Sequence, residues 1–408
     1  MPRSRKLIGA FAAAGVLALV ASGCANQPSE GGGSESAAGG LKDLPALDTV
    51  EVPADAVLPA GDGKAKCDAK TTLAYVGAET GPNAQLGVNI FNGVQLAIDQ
   101  HNEANPDCQV QFKKYDTEGD PNKATGPTTQ AASVEDIIGI VGLPFSGESK
   151  ATGNILEQKG LVHITPAATG PGLSENGWTT FFRGLGNDNV QGPAVGQLAD
   201  KLGAKKVYVI EDDSEYGIGL SKTTQAALGD KVAGVDKVTT GQKDFSATIS
   251  KVMNAKPDAV FFSGYYAEGA PFDSQLVGKG FEGTFIGPDG LKDNAFIEQA
   301  GDAASNAYFT CPCIPGELIK DFSAAYTKVS DGKAPGTYSI EGYDAATVLL
   351  AGIDKGKTTR EDLKAWVKGY DANGLSKKYK WDEKGELAEA AVYGYKVEDG
   401  KIVSVGAL

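Results

Sequence analysis

Few side chains in this 408-residue sequence are suited to acid–base or metal chemistry. His101 and His163 are its only histidines, which excludes a His-rich metal site and disfavours a catalytic triad. His163 falls within an apolar run and is expected to be a core residue. The string Gly217-Ile218-Gly219 lacks the third glycine of a dinucleotide-binding loop, and no segment matches the complete phosphate-loop pattern. The sequence therefore favours a protein without catalytic residues, cofactor or metal.

Four cysteines remain once the cysteine of the N-terminal segment is set aside, and they can pair in three ways. Cys67 and Cys108 each precede a predicted strand by a few residues. If those strands are parallel neighbours, both cysteines leave the same sheet edge within disulfide distance. Cys311 and Cys313 would then close a short ring across Pro312 or stay reduced. A zinc site formed by all four is the alternative, although their spacing does not favour it.

The N-terminus carries an export signal. Three basic residues precede an apolar run over 7–20, which is followed by Ala21-Ser22-Gly23-Cys24. The run is shorter than the roughly 20 residues that a bilayer span needs, so it indicates a signal peptide over 1–23. The last four residues resemble a bacterial lipobox, in which the cysteine carries lipid. This predicts an exported protein, anchored through Cys24 in the periplasm or at the cell surface; a plain secreted protein is the alternative.

The segment that follows Cys24 differs in composition from the rest of the chain. Residues 25–66 contain three consecutive glycines, no aromatic residue and more acids than bases. Such a stretch buries too little apolar surface to offset its ordering entropy. We therefore expect 24–66 to be a lipidated cysteine followed by a disordered tether.

The charge balance limits the partners. Acidic residues outnumber basic ones by 52 to 38, which leaves a net charge of −14. Nucleic acids and anionic lipid surfaces both require a basic footprint. Nucleic acid and electrostatic binding to a membrane surface are thus disfavoured, and the protein is expected to reach the membrane through its lipid alone.

Short apolar runs alternate with helical patterns from residue 71 onward. Strands are predicted at 73–77, 109–115, 137–142, 161–165, 206–210, 237–240, 259–263 and 284–287, with a first helix at 88–102. Continuous apolar strands that alternate with helices indicate parallel sheets covered on both faces. Two such series predict an α/β fold with two doubly wound lobes. Ligands of such sheets bind beyond the carboxyl ends of the strands.

The loops at those strand ends resemble the branched-chain amino-acid (leucine/isoleucine/valine-binding) family of solute-binding proteins, which serve ABC importers. The matching strings occur in order between about residues 71 and 390. They are Val76-Gly77-Ala78-Glu79-Thr80-Gly81-Pro82 with Ala84-Gln85 and Gly87, Lys114-Tyr115-Asp116 with Asp120-Pro121, Ile164-Thr165-Pro166-Ala167-Ala168-Thr169, Asp188 with Gln191-Gly192-Pro193, Tyr216-Gly217 and Gly219, Lys243-Asp244-Phe245-Ser246, Gly264-Tyr265 with Glu268, Gly287-Pro288-Asp289-Gly290 and Trp381-Asp382-Glu383-Lys384-Gly385.

This resemblance implies the type I periplasmic binding protein fold, in which two lobes joined by three crossovers close on a ligand. The crossovers are expected near 186–189, 310–313 and 377–380, so that Cys311 and Cys313 lie on a hinge strand. The lobes are then expected at 71–187 with 314–376 and at 188–313 with 377–408. The implied partners are a small-molecule ligand and ABC permease subunits with their ATPases, and a monomer is expected.

The resemblance also assigns residues to a site for a zwitterion. Ser146 aligns with the family's carboxylate-binding serine, and Thr169 would add its N–H and hydroxyl groups. The Ala167 carbonyl faces the ligand ammonium, and Asp289 supplies the counter-charge. Residues that line or close the pocket are Tyr216, Tyr265, Tyr338, Phe145 and Leu86. Without the resemblance, these same residues would be turn formers, a helix cap and core-rim tyrosines.

Three departures from the family pattern bear on the ligand. Asp289 is one methylene shorter than the glutamate of the leucine/isoleucine/valine binder. Phe145 replaces a small residue, and Pro144 removes a backbone donor from the carboxylate loop. The acid at 289 favours ligands that keep an ammonium group.

These features predict an extracytoplasmic lipoprotein that captures a branched-chain or related amino acid and delivers it to an ABC importer. A ligand-sensing receptor subunit of the same fold is one alternative. A binding protein for a small carboxylate without an amino group is another. An enzyme is disfavoured because no serine lies in a recognisable nucleophile motif.

Overall fold

Strands and helices alternate along most of the described chain, which comprises residues 44–67 and 70–408 of this computed structural model. The signal peptide and Cys24 lie outside the described residues. The first series of elements contains β1 (Thr72–Gly77), α1 (Ala84–Ala104), β2 (Gln111–Asp116), α2 (Pro121–Ser133), β3 (Ile137–Gly142), α3 (Ser146–Gln158), β4 (Val162–Thr165) and β5 (Phe181–Arg183).

The second series contains α4 (Asp188–Lys201), β6 (Val207–Glu211), α5 (Glu215–Leu228), β7 (Val232–Lys237), α6 (Ser246–Ala255), β8 (Ala259–Ser263), α7 (Tyr266–Gly278), β9 (Thr284–Gly287), α8 (Asn294–Ala300) and β10 (Ala307–Cys311). The last contains α9 (Lys320–Val329), α10 (Ser339–Asp354), α11 (Arg360–Lys368), β11 (Asp371–Asn373), β12 (Lys378–Lys380), β13 (Tyr393–Glu398) and β14 (Lys401–Ala407). None of these described helices is both long and apolar enough to cross a bilayer.

Each lobe is built on its own sheet. The first sheet is parallel throughout, in the order β2-β1-β3-β4-β5. The second has the order β14-β13-β10-β9-β8-β6-β7, and its strands β13 and β14 run antiparallel. Every residue of β1 and β3 is buried, as expected for apolar strands covered on both faces. The α/β fold with two lobes is therefore as predicted, except that the second sheet is mixed.

The predicted strand at 237–240 is wrong. The structure places β7 at Val232–Lys237, where it pairs with β6 at the edge of the second sheet. An edge strand is only half covered, and the residues of β7 are partly or fully exposed. Its sequence therefore has no continuous apolar run to mark it.

Helix N-termini meet at the carboxyl edge of both sheets because α1 to α9 each follow a parallel strand. Side chains cap the N-termini of several of these helices. The Ser214 hydroxyl accepts the Gly217 N–H at 2.9 Å and begins α5. The Asn187 side chain accepts the Asn189 N–H at 3.0 Å and begins α4. These caps satisfy amide groups that a helix leaves unpaired at its start.

The chain passes between the lobes three times. The first passage joins β5 to α4, and the second joins β10 to α9, which packs with α10 against α1 of the first lobe. The segment 381–387 still lies along β5, because Arg183 N–H donates to the Gly385 carbonyl at 2.9 Å. β13 then pairs with β10. The last passage thus follows residue 387, later than the expected 377–380, and the exact lobe boundaries remain a prediction.

Both expected cysteine pairs are bonded in the structure. Cys67 joins Cys108 ahead of β2, and Cys311 joins Cys313 at the second passage between the lobes. Cys311 and Cys313 are fully buried. The second passage between the lobes therefore carries a covalent constraint.

The segment 44–66 differs from the expected disordered tether. The Leu47 N–H donates to the Ser404 carbonyl at 2.6 Å, and the Val57 N–H donates to the Asn373 carbonyl at 2.7 Å. The Ala65 N–H donates to Asn105 Oδ1 at 3.0 Å. Such backbone contacts need no apolar pattern in the segment itself, which is why composition did not reveal them. The tether prediction now concerns only 24–43, which lie outside the described residues.

Candidate ligand site between the lobes

A small enclosed cavity lies between the two lobes, with a free volume of about 10 Å³, room for about one water molecule. Eight of the nine predicted site residues line it. They are Leu86, Phe145, Ser146, Ala167, Tyr216, Tyr265, Asp289 and Tyr338, and Pro144 completes the lining. Six of these eight lie at the start of an α-helix, three in its first turn and three immediately before it, because helix N-termini meet at this edge of the sheets.

Asp289 follows β9 and is 1% exposed. Its Oδ1 accepts hydrogen bonds from the Tyr216 hydroxyl and from Gln191 Nε2, the latter at 2.6 Å. Its Oδ2 accepts one from the Tyr338 hydroxyl. Burial raises the pKa of Asp289, and these three donors oppose that rise. Asp289 is thus a buried acid surrounded by neutral donors.

Ser146 is the first residue of α3 and faces the cavity from the other lobe. Its Oγ accepts the Gly170 N–H at 3.0 Å. The loop before it bends sharply, with Leu143 in the left-handed region at a φ of 55°. The amide groups at the start of α3 and the helix dipole favour a negatively charged group beside Ser146. This end of the cavity is suited to a carboxylate.

A second acid, Glu148, lies in the first turn of α3. Glu148 is fully buried, and its Oε2 accepts the Phe145 N–H at 3.2 Å. Burial raises the pKa of Glu148 to about 7. Its bond to the Phe145 N–H removes one amide donor from the set available to a ligand.

Aromatic rings form the wall between the two polar ends. Phe145 meets Tyr265 edge to face, with ring centroids 5.1 Å apart, and Tyr216 lies 5.0 Å from Tyr265 on the other side. Phe145 belongs to the first lobe and Tyr265 to the second. Their contact closes the cavity across the lobes, and it must open before a ligand of amino-acid size can enter.

Sequence reasoning missed a set of polar contacts that join α1 to the second lobe. Asn89 Nδ2 donates to Asp293 Oδ2 at 2.8 Å, and both residues are buried. The Gln85 N–H donates to the Tyr266 hydroxyl at 3.1 Å, and Asn83 Oδ1 accepts the Ala267 N–H at 3.2 Å. We call these three contacts the α1 latch. They show that the structure is a closed form, with the lobes in direct contact.

Thr169 is the predicted residue that does not line the cavity. It is fully buried, and its carbonyl accepts the Asp188 N–H at 3.0 Å. Asp188 and Gln191 are further buried polar residues beside the site to which sequence reasoning gave no role. Both occur in the matched strings, and that was the one signal available for them.

The described residues hold one group that could bind a metal, formed by His101, Cys108 and Asp354, whose ligand atoms lie within 4.8 Å of one another. Cys108 is bonded to Cys67, and His101 Nε2 lies 2.8 Å from Asp354 Oδ1. Each of the three groups therefore already has a partner within the protein. They are also not part of the cavity lining.

Two sheet-based lobes closed over a small cavity, with a buried acid at one end and a helix N-terminus at the other, are the architecture of a solute-binding protein. The chain belongs to the periplasmic binding protein family, whose family model matches residues 70–401.

Characterised relatives and solved structures agree with this. The chain is 30% identical over 323 residues to the leucine-, isoleucine-, valine-, threonine- and alanine-binding protein of Pseudomonas aeruginosa, covering 77% of this chain and 86% of the relative. It resembles the leucine-binding protein LivK of Thermotoga maritima (TM-score 0.74, 29% identity, 83% and 98% covered). It also resembles LivJ of Streptococcus pneumoniae in complex with isoleucine (TM-score 0.77, 25% identity, 83% and 99% covered).

Proposed function

We propose that this protein captures an amino acid between its two lobes and delivers it to an ABC importer. The observation that carries the proposal is the pairing of Ser146 at the start of α3 with Asp289 across one buried cavity. An amino acid offers a carboxylate, which needs donors, and an ammonium, which needs acceptors. One relative is named for binding leucine, isoleucine, valine, threonine and alanine, another is named a leucine-binding protein, and a third is in complex with isoleucine, which supports the same ligand class.

Each end of the ligand has its own set of residues in this proposal. Ser146 and the amides of the α3 N-terminus receive the carboxylate. Thr169 assists at this carboxylate end from behind the lining. Asp289 and the Ala167 carbonyl receive the ammonium. The ligand side chain then faces Leu86 and the aromatic wall. Because the closed cavity holds about one water molecule, capture requires the lobes to separate and close again around the ligand.

One observation favours a second candidate, a small carboxylate without an amino group. The carboxylate of Asp289 already accepts three hydrogen bonds from neutral donors. Its charge is therefore partly compensated without a ligand ammonium. We rank this candidate second because hydroxyl and amide donors stabilise a buried carboxylate less than a cation does.

A thermal-shift panel tests the proposal, since a ligand that binds only the folded state raises the melting temperature. The panel contains L-leucine, L-isoleucine, L-valine and L-alanine, together with the deaminated analogue and the amine that match each one. We expect a shift with one or more amino acids and a much smaller shift with either analogue. Equal shifts with an amino acid and its deaminated analogue would establish the second candidate instead.

We also propose that the protein is exported, acts as a monomer and is held at the outer face of the cell membrane by a lipid on Cys24. The lipobox-like string Ala21-Ser22-Gly23-Cys24 supports this anchor. We expect Cys24→Ala to release the protein from membranes or to stall its processing, as followed by cell fractionation. Complete membrane retention of a correctly cleaved Cys24→Ala protein would contradict the lipid anchor.

A further inference from the structure

Arg183 is a fully buried cation of the first lobe that the proposed function leaves without a role. It is the last residue of β5, and burying a guanidinium is costly unless its charge and its N–H groups have partners. Its Nη1 donates to the Ala168 carbonyl, and its Nη2 donates to the Gly170 carbonyl at 3.0 Å. Its Nε and Nη2 also donate to the two carboxylate oxygens of Glu386, at 3.0 and 2.8 Å. One guanidinium therefore joins the loop over 168–170 to Glu386.

The loop over 168–170 in turn contacts Ser146, which lines the cavity. The Gly170 N–H donates to Ser146 Oγ at 3.0 Å, and both residues are buried. A Cβ atom at position 170 would lie 3.1 Å from that oxygen, so the loop packs tightly against Ser146. Because one lone pair of Oγ accepts this N–H, the Ser146 O–H points away from Gly170 and can donate to an acceptor in the cavity.

The three carbonyl groups of the same loop accept hydrogen bonds from donors outside the cavity lining. Arg183 binds the Ala168 and Gly170 carbonyls, and the Asp188 N–H donates to the Thr169 carbonyl at 3.0 Å. Neither Arg183 nor Asp188 is part of the lining. A carbonyl oxygen carries partial negative charge and would repel a ligand carboxylate. Arg183 thus binds two oxygens that would otherwise be free to face that carboxylate.

Glu386 belongs to the segment 381–387, which lies along β5 ahead of the last passage between the lobes. The Arg183 N–H donates to the Gly385 carbonyl at 2.9 Å, and Trp381 Nε1 donates to the Arg183 carbonyl at 2.6 Å. These bonds hold the backbone of Arg183. The bidentate pair with Glu386 holds its side chain, because a carboxylate that binds two N–H groups of one guanidinium fixes the plane of that group.

We propose that Arg183, oriented by Glu386, is a positioning residue for the carboxylate of the ligand. It holds the loop over 168–170 so that the Gly170 N–H reaches Ser146 Oγ and the Ser146 O–H is directed to the ligand. Lysine cannot replace it, because a single ammonium group lacks the planar fork that binds Glu386 and two carbonyl groups at once. The inference rests on the carboxylate of the proposed ligand, which both candidate ligands carry.

A double-mutant cycle followed by calorimetry tests this. The titrant is the amino acid of the thermal-shift panel that binds most tightly, or a deaminated analogue if only that binds. We expect Arg183→Lys to lower the affinity about 5- to 30-fold, because the ligand carboxylate loses one well-oriented hydroxyl bond. In the Ser146→Ala protein the same change should lower it less than about twofold, since the hydroxyl that Arg183 positions is already absent. In the Tyr338→Phe protein, which is altered at the Asp289 end, the full loss should remain.

The matched control is Lys384→Ala. Lys384 Nζ lies 2.8 Å from Glu175 Oε1 and forms a second ion pair between the segment 381–387 and the first lobe, but both side chains are more than half exposed. We expect this variant to change the affinity less than about twofold. An unchanged affinity in Arg183→Lys, an equal loss in Lys384→Ala, or losses that simply add in the Arg183→Lys, Ser146→Ala double variant would each overturn the inference while leaving ligand binding in place.

If Arg183→Lys does not fold, Glu386→Asp decides in the same cycle. Aspartate keeps the charge but is one methylene shorter, so the bidentate contact with Arg183 is weakened. We expect a loss of about 3- to 10-fold that disappears in the Ser146→Ala protein. A loss that persists there, or no loss at all, would overturn the inference. If neither an amino acid nor a deaminated analogue binds the unaltered protein, the proposed function fails and this inference fails with it.

Discussion

The Tyr338 hydroxyl donates a hydrogen bond to Asp289 Oδ2 and so joins the two lobes at the candidate site. Tyr338 precedes α10, which packs on α1 of the first lobe, and Asp289 follows β9 of the second. Tyr338 has a φ of 68°, a left-handed conformation that is unfavourable for a tyrosine. Because this strained residue makes a hydrogen bond across the cleft, we infer that the bond stabilises the closed form.

Removing that hydroxyl should weaken ligand capture. We expect Tyr338→Phe to lower the affinity about 5- to 30-fold, which corresponds to the loss of one hydrogen bond to a charged group at about 1–2 kcal/mol. The control is Tyr343→Phe in α10, because the Tyr343 hydroxyl binds Gln100 at 2.6 Å within the first lobe. Calorimetry with the tightest amino acid compares the two. Equal losses in both variants would mean that the effect is a general one on folding.

Substitutions at the two ends of the site should weaken ligand binding to different extents. Asp289→Asn keeps the size of the side chain but leaves a ligand ammonium poorly compensated, and we expect a loss of about 2–5 kcal/mol in binding. Ser146→Ala removes one hydroxyl while the α3 amides remain, and we expect a loss of about 1.5–3 kcal/mol. A deaminated analogue should bind the unaltered protein weakly and lose little more on Asp289→Asn. Equal binding of the amino and deaminated ligands to the unaltered protein would mean that Asp289 only forms a turn and does not bind a ligand ammonium.

The α1 latch should set the balance between open and closed forms without touching the ligand. Asn89→Ala leaves the buried Asp293 carboxylate with one partner fewer, which we expect to weaken the closed form by about 1–3 kcal/mol. The apparent affinity should fall accordingly, and small-angle scattering should show a more extended protein without ligand. Gln95→Ala is the control, because Gln95 contacts Asp99 on the exposed side of the same helix at 2.7 Å. An unchanged affinity in Asn89→Ala would show that the latch does not contribute to closure.

Asp273 should make the folded protein less stable as the pH rises. Burial raises its pKa to about 8, against 3.8 ordinarily. Between these values the folded protein keeps a proton that the unfolded chain has lost, so stability falls with increasing pH across about pH 4–8. Asp273→Asn should flatten this decline and add at least about 1 kcal/mol at pH 8, as measured by urea unfolding. A variant that is less stable than the unaltered protein at pH 8 would contradict this.

The sequence predicted those strands that are buried on both faces, because such burial requires a continuous run of apolar or small residues. β1 and β3 lie in the buried centre of the first sheet, so every position is apolar or small and the run is visible in the sequence. The same strands fix where the ligand loops begin. Eight of nine resemblance-based residues therefore meet around one cavity, because parallel strands bring their carboxyl ends to one edge.

Other features were decided only in the tertiary structure. β7 is half exposed at a sheet edge and carries no apolar run, and the segment 44–66 is held by backbone bonds that composition cannot encode. The donors on Asp289 come from positions 191, 216 and 338, which lie far apart along the chain. Periodicity and motif spacing describe neighbours along the chain. The protonation and hydrogen bonding of a buried acid depend instead on residues that only folding brings together.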